Sequence, residues 1–221
     1  MQNFATPAPI TAILTIPAGR IQITAADRAD TTVEIRPADP AKSRDVKLAG
    51  QLTAGYSDGT LRITAPAGHR VLGSSGAVEV TVRLPAGSRV EAKTASAQFT
   101  TAGPLGDVTF DSAQATVTVD QAATAHLTTV DGDITVGRLG GDGELRTVRG
   151  DLQVTEAAHG TVVLRTETGA ITVGAAAGAS ATLDAGTTLG RIRNALKNTD
   201  GTPGLNIHAT TTVGDITARS L

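Results

Sequence analysis

Glycine or alanine recurs along the C-terminal part of this chain at nearly even intervals. Each is followed two residues later by an anchor, in most cases aliphatic, and in all but one repeat preceded three residues earlier by threonine. LTTVDGDITV, from Leu127, and LRTVRGDLQV, from Leu145, are the clearest pair. With the residue after the small-residue turn as anchor, the series reads Phe99, Ala115, Ile134, Leu152, Ile171, Ile192 and Ile216, spaced 16, 19, 18, 19, 21 and 24. Two residues before the anchors stand Ala97, Ala113, Gly132, Gly150, Gly169, Gly190 and Gly214. Five before stand Thr94, Phe110, Thr129, Thr147, Thr166, Thr187 and Thr211, and seven before are apolar residues throughout.

Side chains alternate inward and outward with period two on both sides of each turn, which is the signature of two short strands joined by a corner. One such unit cannot bury its own apolar side, but stacked on copies of itself it can. The spacing therefore predicts an all-β fold, a β-solenoid: a single-stranded β-helix-like stack of about seven coils, roughly 30 Å long at 4.8 Å per coil. Gly132, Gly150, Gly169, Gly190 and Gly214 form the expected turn column, and Ile134, Leu152, Ile171, Ile192 and Ile216 the expected core anchors. The threonines are expected to form an internal ladder, each hydroxyl bonded to the next.

Residues 1–89 do not follow the pattern and are expected to form an irregular β N-terminal half that caps the first coil. Ile10 to Ala25 reads as a hairpin turning at Pro17-Ala18-Gly19, and ILTIPAGRIQI echoes TVRLPAGSRVE. Asp45 to Gln51 reads as a helical turn, and Ser57-Asp58-Gly59 as a hairpin turn. No linker-like composition intervenes, so residues 1–221 are expected to be one continuous β domain, with repeat coils over 90–221. The sequence runs TTTVGDITARSL after the last glycines, which predicts an uncapped terminal coil around Ile216 unless the polar stretch from Asn194 to Leu205 folds over it.

Aromatics are only 2 % of the chain and tryptophan is absent, so the core must be aliphatic. A net charge of −2 leaves no electrostatic footprint for nucleic acid. Without cysteine there is no disulfide or thiolate metal site. No run reaches the roughly eighteen apolar residues of a membrane helix, and the N-terminus lacks a basic and then apolar leader. The expected location is cytoplasmic, with export or the cell surface as the alternative.

Candidate sites are few. Arg149-Gly150-Asp151 is a tripeptide that some cell-surface receptors read, but it aligns with Asp131-Gly132-Asp133 and Thr168-Gly169-Ala170, so it reads as a turn column. Asp131, Asp133 and Asp151 would cluster on one corner, with Asp107 and Asp215 elsewhere. Calcium is the ligand such a cluster would take, yet Arg149 stands among the acids. His69, His126, His159 and His208 share no metal spacing. Asp131 and Asp133 are the pair to consider for sugar hydrolysis, but aromatic platforms for sugar stacking are missing. No catalytic, cofactor-binding or metal residues are assigned.

The lead-in LPAGSRVEAKTASAQFTTAG, followed by repeated hydrophobic-Gly-Asp-Ile-Thr-Val units, resembles the bacterial putative-adhesin β-strand-repeat domain of unknown function, some members of which are called Toastrack domains. The resemblance covers nearly the whole chain. It implies a scaffold linked to cell-envelope stress signalling or the cell surface, without catalytic residues. The expected function is thus a non-enzymatic scaffold or protein-interaction module with a protein partner or a second copy of itself, a homodimer through the C-terminal end of the rod. A surface-type adhesive module for glycan or protein is the alternative, and a polysaccharide-acting enzyme the third reading.

Overall fold

The structure is a computed structural model that describes residues 1–65, 76–198 and 203–221. Its elements are β1 (Gln2–Ala5), β2 (Thr11–Thr15), β3 (Ala18–Ala26), β4 (Asp30–Pro37), α1 (Ser43–Gln51), β5 (Thr53–Ser57), β6 (Thr60–Thr64), β7 (Val78–Pro85), β8 (Arg89–Ala102) and β9 (Pro104–Asp131). There follow β10 (Ile134–Leu139), β11 (Gly143–Arg146), β12 (Leu152–Ala157), β13 (Gly160–Arg165), β14 (Ile171–Ala175), β15 (Ala181–Leu189), β16 (Ile192–Ala195), β17 (Leu205–Val213) and β18 (Ile216–Ser220). The strands stack as coils in parallel register, so the molecule is an all-β solenoid. In one coil β11 leads through a glycine corner into β12; β13 and β14 repeat this one layer on. Leu145 pairs with Leu164, and Leu152 with Ile171. Leu145, Val154, Leu164 and Val173 are fully buried, because alternation sends every second side chain of a strand inward.

One layer sits two residues away from the sequence expectation. Phe99 pairs with Val117, and Val117 with Ile134, so the second anchor is Val117 and not Ala115. Ala115 takes the turn position that had been given to Ala113, opposite Ala97. Ala113 and Ala115 are both small and two residues apart, and a period-two pattern does not distinguish them. The shift also puts Ser112 in the threonine column in place of Phe110, which lies buried against Phe99 with ring centroids 4.7 Å apart.

The N-terminal part is irregular and also contributes two further coils. β2 and β3 do not form a hairpin. They are successive sides of one coil, parallel to β8, with Ala12 on Val90 and Ile21 on Phe99. β6 and β7 form the next coil outward, parallel to β2 and β3. The two Pro-Ala-Gly turns are not equivalent: Gly19 turns a corner beside Ala97, whereas Gly87 lies in the return between β7 and β8. This end is closed by antiparallel strands, β5 on β6, β4 on β7 and β1 on β4. Helix α1 packs on β4, and its buried Asp45 accepts the Ala77 and Asp39 backbone N–H groups at 3.0 and 3.2 Å.

The far end is ordered differently from the sequence. β17 and β18 do not follow β15 and β16; they lie between them and coil β13–β14. Ile216 pairs with Ile171 on one side and Ile192 on the other. The terminal coil is therefore β15–β16, and Ile216 is fully buried. Ile192, expected as a core anchor, is 45 % exposed because no coil covers it.

Candidate functional site

The corner column uses its polar atoms to tie layers together. Gly150 and Gly169 adopt φ 144° and 154°, where a side chain is strained. The threonine hydroxyls donate mainly to these turns and not to one another: Thr147 to the Gly132 carbonyl at 3.2 Å, Thr166 to Gly150 at 3.1 Å, Thr211 to Gly169 at 3.1 Å and Thr187 to Gly214 at 3.0 Å. Thr94 and Ser112 form the hydroxyl–hydroxyl contact expected of a ladder, at 2.9 Å. Gly190 lacks the left-handed φ, yet a Cβ there would meet the Gly214 carbonyl oxygen at 1.9 Å.

The aspartates after Gly132, Gly150 and Gly214 have a similar task. Asp133 Oδ1 accepts the Asp151 N–H at 2.8 Å, Asp151 Oδ1 the Ala170 N–H at 2.7 Å, and Asp215 Oδ1 the Arg191 N–H at 2.9 Å. Asp215 is thus in the same column as Asp133 and Asp151, not elsewhere on the rod. Arg149 donates to Asp131 at 3.2 Å. Every member of Arg149-Gly150-Asp151 is engaged within the stack, and Asp131 and Asp133 hold different partners. Asp133→Ala is expected to lower stability by about 1.5 kcal/mol, the low end for a bond to a charged acceptor, whereas Asp133→Asn keeps an acceptor oxygen and should melt closer to the parent. Equal melting temperatures for the two variants would show that the bond contributes nothing.

Among the described residues no three His, Asp or Glu side chains stand close enough to share a metal ion. His126 lies 3.0 Å from Glu144 and His208 3.3 Å from Asp184; His69 lies outside the described residues. An open groove of about 430 Å³ is lined by Asp142, Glu144, Arg146 and Arg165 among others. Its acids are already engaged: Glu144 pairs with His126 and Arg146, and Asp142 accepts the Thr161 N–H at 2.7 Å. Asp39, at the approach to α1, is held below the usual carboxylate range by the Ala41 backbone N–H and by Lys42. No helix among the described residues is long and apolar enough to cross a membrane.

What is left open is the end coil. β15 pairs with β17 and β16 with β18, each along one edge. Nine residues of β15 make an edge about 30 Å long. It carries one charge, Asp184, and no proline, so the usual devices that blunt an edge are sparse. Leu189 is 66 % exposed there beside Ile192, and Leu183, Ala185 and Leu196 are only partly covered. In the 194–205 stretch Asn198 Oδ1 accepts the Ala181 N–H of this coil at 2.9 Å, and the Lys197 N–H donates to Ser220 Oγ of the coil beneath at 2.9 Å; 199–202 lie outside the described residues. The sequence reading missed Leu189 and placed Ile192 inside. The available signal was the link before β15: five residues, 176–180, against two, 158–159, between β12 and β13.

Comparison with known proteins agrees with this architecture. No curated protein matches the chain significantly. Among solved structures, a putative adhesin from Bacteroides fragilis shares 14 % identity at a TM-score of 0.52, over 98 % of this chain and 95 % of that one. A putative cell adhesion protein from Clostridium sporogenes shares 13 % at a TM-score of 0.40, over 100 % and 98 %. At 14 % identity the likeness to the Bacteroides fragilis protein concerns the fold alone. The family model described as Toastrack DUF4097 matches residues 14–220. A match over nearly the whole length establishes membership: the chain belongs to the Toastrack family, DUF4097.

Proposed function

We propose that this chain is a non-enzymatic scaffold or protein-interaction module, one continuous β domain over residues 1–221, that docks end-on through coil β15–β16. The observation that carries this reading is the contrast between the two ends. One end is covered by its own antiparallel strands and a helix, while at the other, among the described residues, no strand pairs with the outer edges of β15 and β16, and Leu189 and Ile192 are exposed. Exposed apolar side chains on an open edge mark an association site.

A second copy fits this edge. Antiparallel pairing of β15 with its counterpart about Ala185 sets Leu183 against Thr187 and Ala181 against Leu189. Leu183, Ala185 and Thr187 of one copy then meet Thr187, Ala185 and Leu183 of the other on the inward side, and the two cores join there. Light scattering coupled to size exclusion is expected to give a dimer at roughly 50 µM, and Leu189→Lys with Ile192→Lys to give a monomer of unchanged fold, because buried lysines without partners are costly. A wild-type chain that is monomeric at that concentration rules out the homodimer.

A surface-type adhesive module is the second reading. It is favoured by an outward row of side chains on the second sheet face, Thr100, Thr118, Thr135, Gln153, Thr172 and Thr217, adjacent in register. Fractionation of native cells separates the two readings: recovery with the outer surface favours adhesion, and recovery in the cytosol favours the scaffold.

A further inference from the structure

Coils β15–β16 and β17–β18 have the same column pattern: Ala185 matches Ala209, Thr187 matches Thr211, and Ile192 matches Ile216. Either could rest on β13–β14 in register, and following the chain would put β15–β16 there first. We infer that Asn194 and Asp215 decide the order, keeping β15–β16 at the rod's end and drawing the last coil in beneath it.

Asn194 stands in an inward column that runs inward from it through Ala218, Val173, Val154, Val136 and Val119, all buried. At the end of the rod its carboxamide is exposed, with Oδ1 accepting the Leu196 N–H at 3.0 Å. One layer further in, it would lie between Val173 and Ala218 with both amide hydrogens buried and unpaired, an arrangement that native cores avoid. Ala218 fills the inner place without polar atoms.

Asp215 adds a second bias of the same sign. Each corner aspartate accepts an N–H from the next layer toward this end. With β17–β18 inside, Asp215 reaches the Arg191 N–H. With β17–β18 outermost, Asp215 has no layer beyond it, and Arg191 in the inner layer offers no carboxylate. The connections permit both orders: the five-residue link 176–180 already spans two layers, and the nine residues 196–204 can extend about 30 Å. Which coil ends the rod determines which side chains a partner meets.

Thr172, Thr217 and Arg193 share one outward column, so three full-length double-cysteine variants report the order in a chain that has no cysteine of its own. Neighbouring layers lie about 4.8 Å apart, within disulfide reach, and layers two apart do not. Under mild oxidation the parent is expected to cross-link Thr172→Cys with Thr217→Cys, and not Thr172→Cys with Arg193→Cys. Arg193→Cys with Thr217→Cys is adjacent in both orders and serves as the control. In the background Asn194→Val with Asp215→Ala, the 172–193 cross-link is expected to rise at least tenfold at the expense of 172–217. Asn194→Ala replaces Asn194→Val if the larger side chain prevents folding. A folded background that keeps only the 172–217 cross-link overturns the inference, as does a parent chain that cross-links 172 to 193.

Discussion

Ile134→Asp is expected to leave the protein unfolded or aggregated at room temperature. Ile134 is fully buried, paired with Val117 on one side and Leu152 on the other. A carboxylate there has no cation and no donor within the aliphatic interior, and removing a core aliphatic side chain adds its own cost. The two together amount to about 5 kcal/mol or more, comparable with the whole stability of an ordinary domain. The damage also propagates, because each layer is the floor of the next. Circular dichroism during a thermal ramp decides the matter: a variant that melts cooperatively within a few degrees of the parent would remove Ile134 from the core.

Gly150→Val should produce the second largest loss, about 3 kcal/mol or more from strain and steric conflict combined. At φ 144° a β-branched residue is disfavoured, and a Cβ would lie 2.2 Å from the Gly132 carbonyl oxygen of the layer below. That oxygen accepts the Thr147 hydroxyl, so the clash also disturbs an interlayer bond. Gly55→Val is the matched comparison, since Gly55 lies in strand β5 with no atom within 4 Å of the added Cβ and without a positive φ. It should be neutral or slightly stabilising, as valine suits a strand better than glycine does. If both substitutions lower the melting temperature equally, the corner glycine has no special role.

The layers were legible in the sequence because a parallel stack puts equivalent residues on top of one another. Thr147 over Thr129 and Leu152 over Ile134 are repeats in space because they are repeats in sequence. The same property hides the order of the layers. Ile192 and Ile216 satisfy one column equally well, and a column pattern does not say which of two matching coils lies outside. Asn194 among valines and the longer link before β15 carry that information, but only once the stack is known to permit two orders. At the other end, Pro17-Ala18-Gly19 looked like a hairpin turn because a corner and a hairpin use the same small residues; what separates them is the partner strand, β8, more than sixty residues away in sequence. The Arg149-Gly150-Asp151 tripeptide was readable as architecture from its neighbours Gly132 and Gly169. The exposed end was not, since the exposure of Ile192, in a column where Ile216 is fully buried, follows from layer order and not from its own alternation.

Amide hydrogen exchange, read strand by strand at roughly 1 µM and 100 µM protein, tests end-on docking most directly, because edge amides that gain a partner slow their exchange. The prediction is slower exchange at the higher concentration along β15 and β16, with β1 and β5 at the capped end and the outward row from Thr100 to Thr217 unchanged. Exchange in β15 and β16 that is the same at both concentrations, or protection that appears on β1 and β5 instead, would contradict docking through this coil.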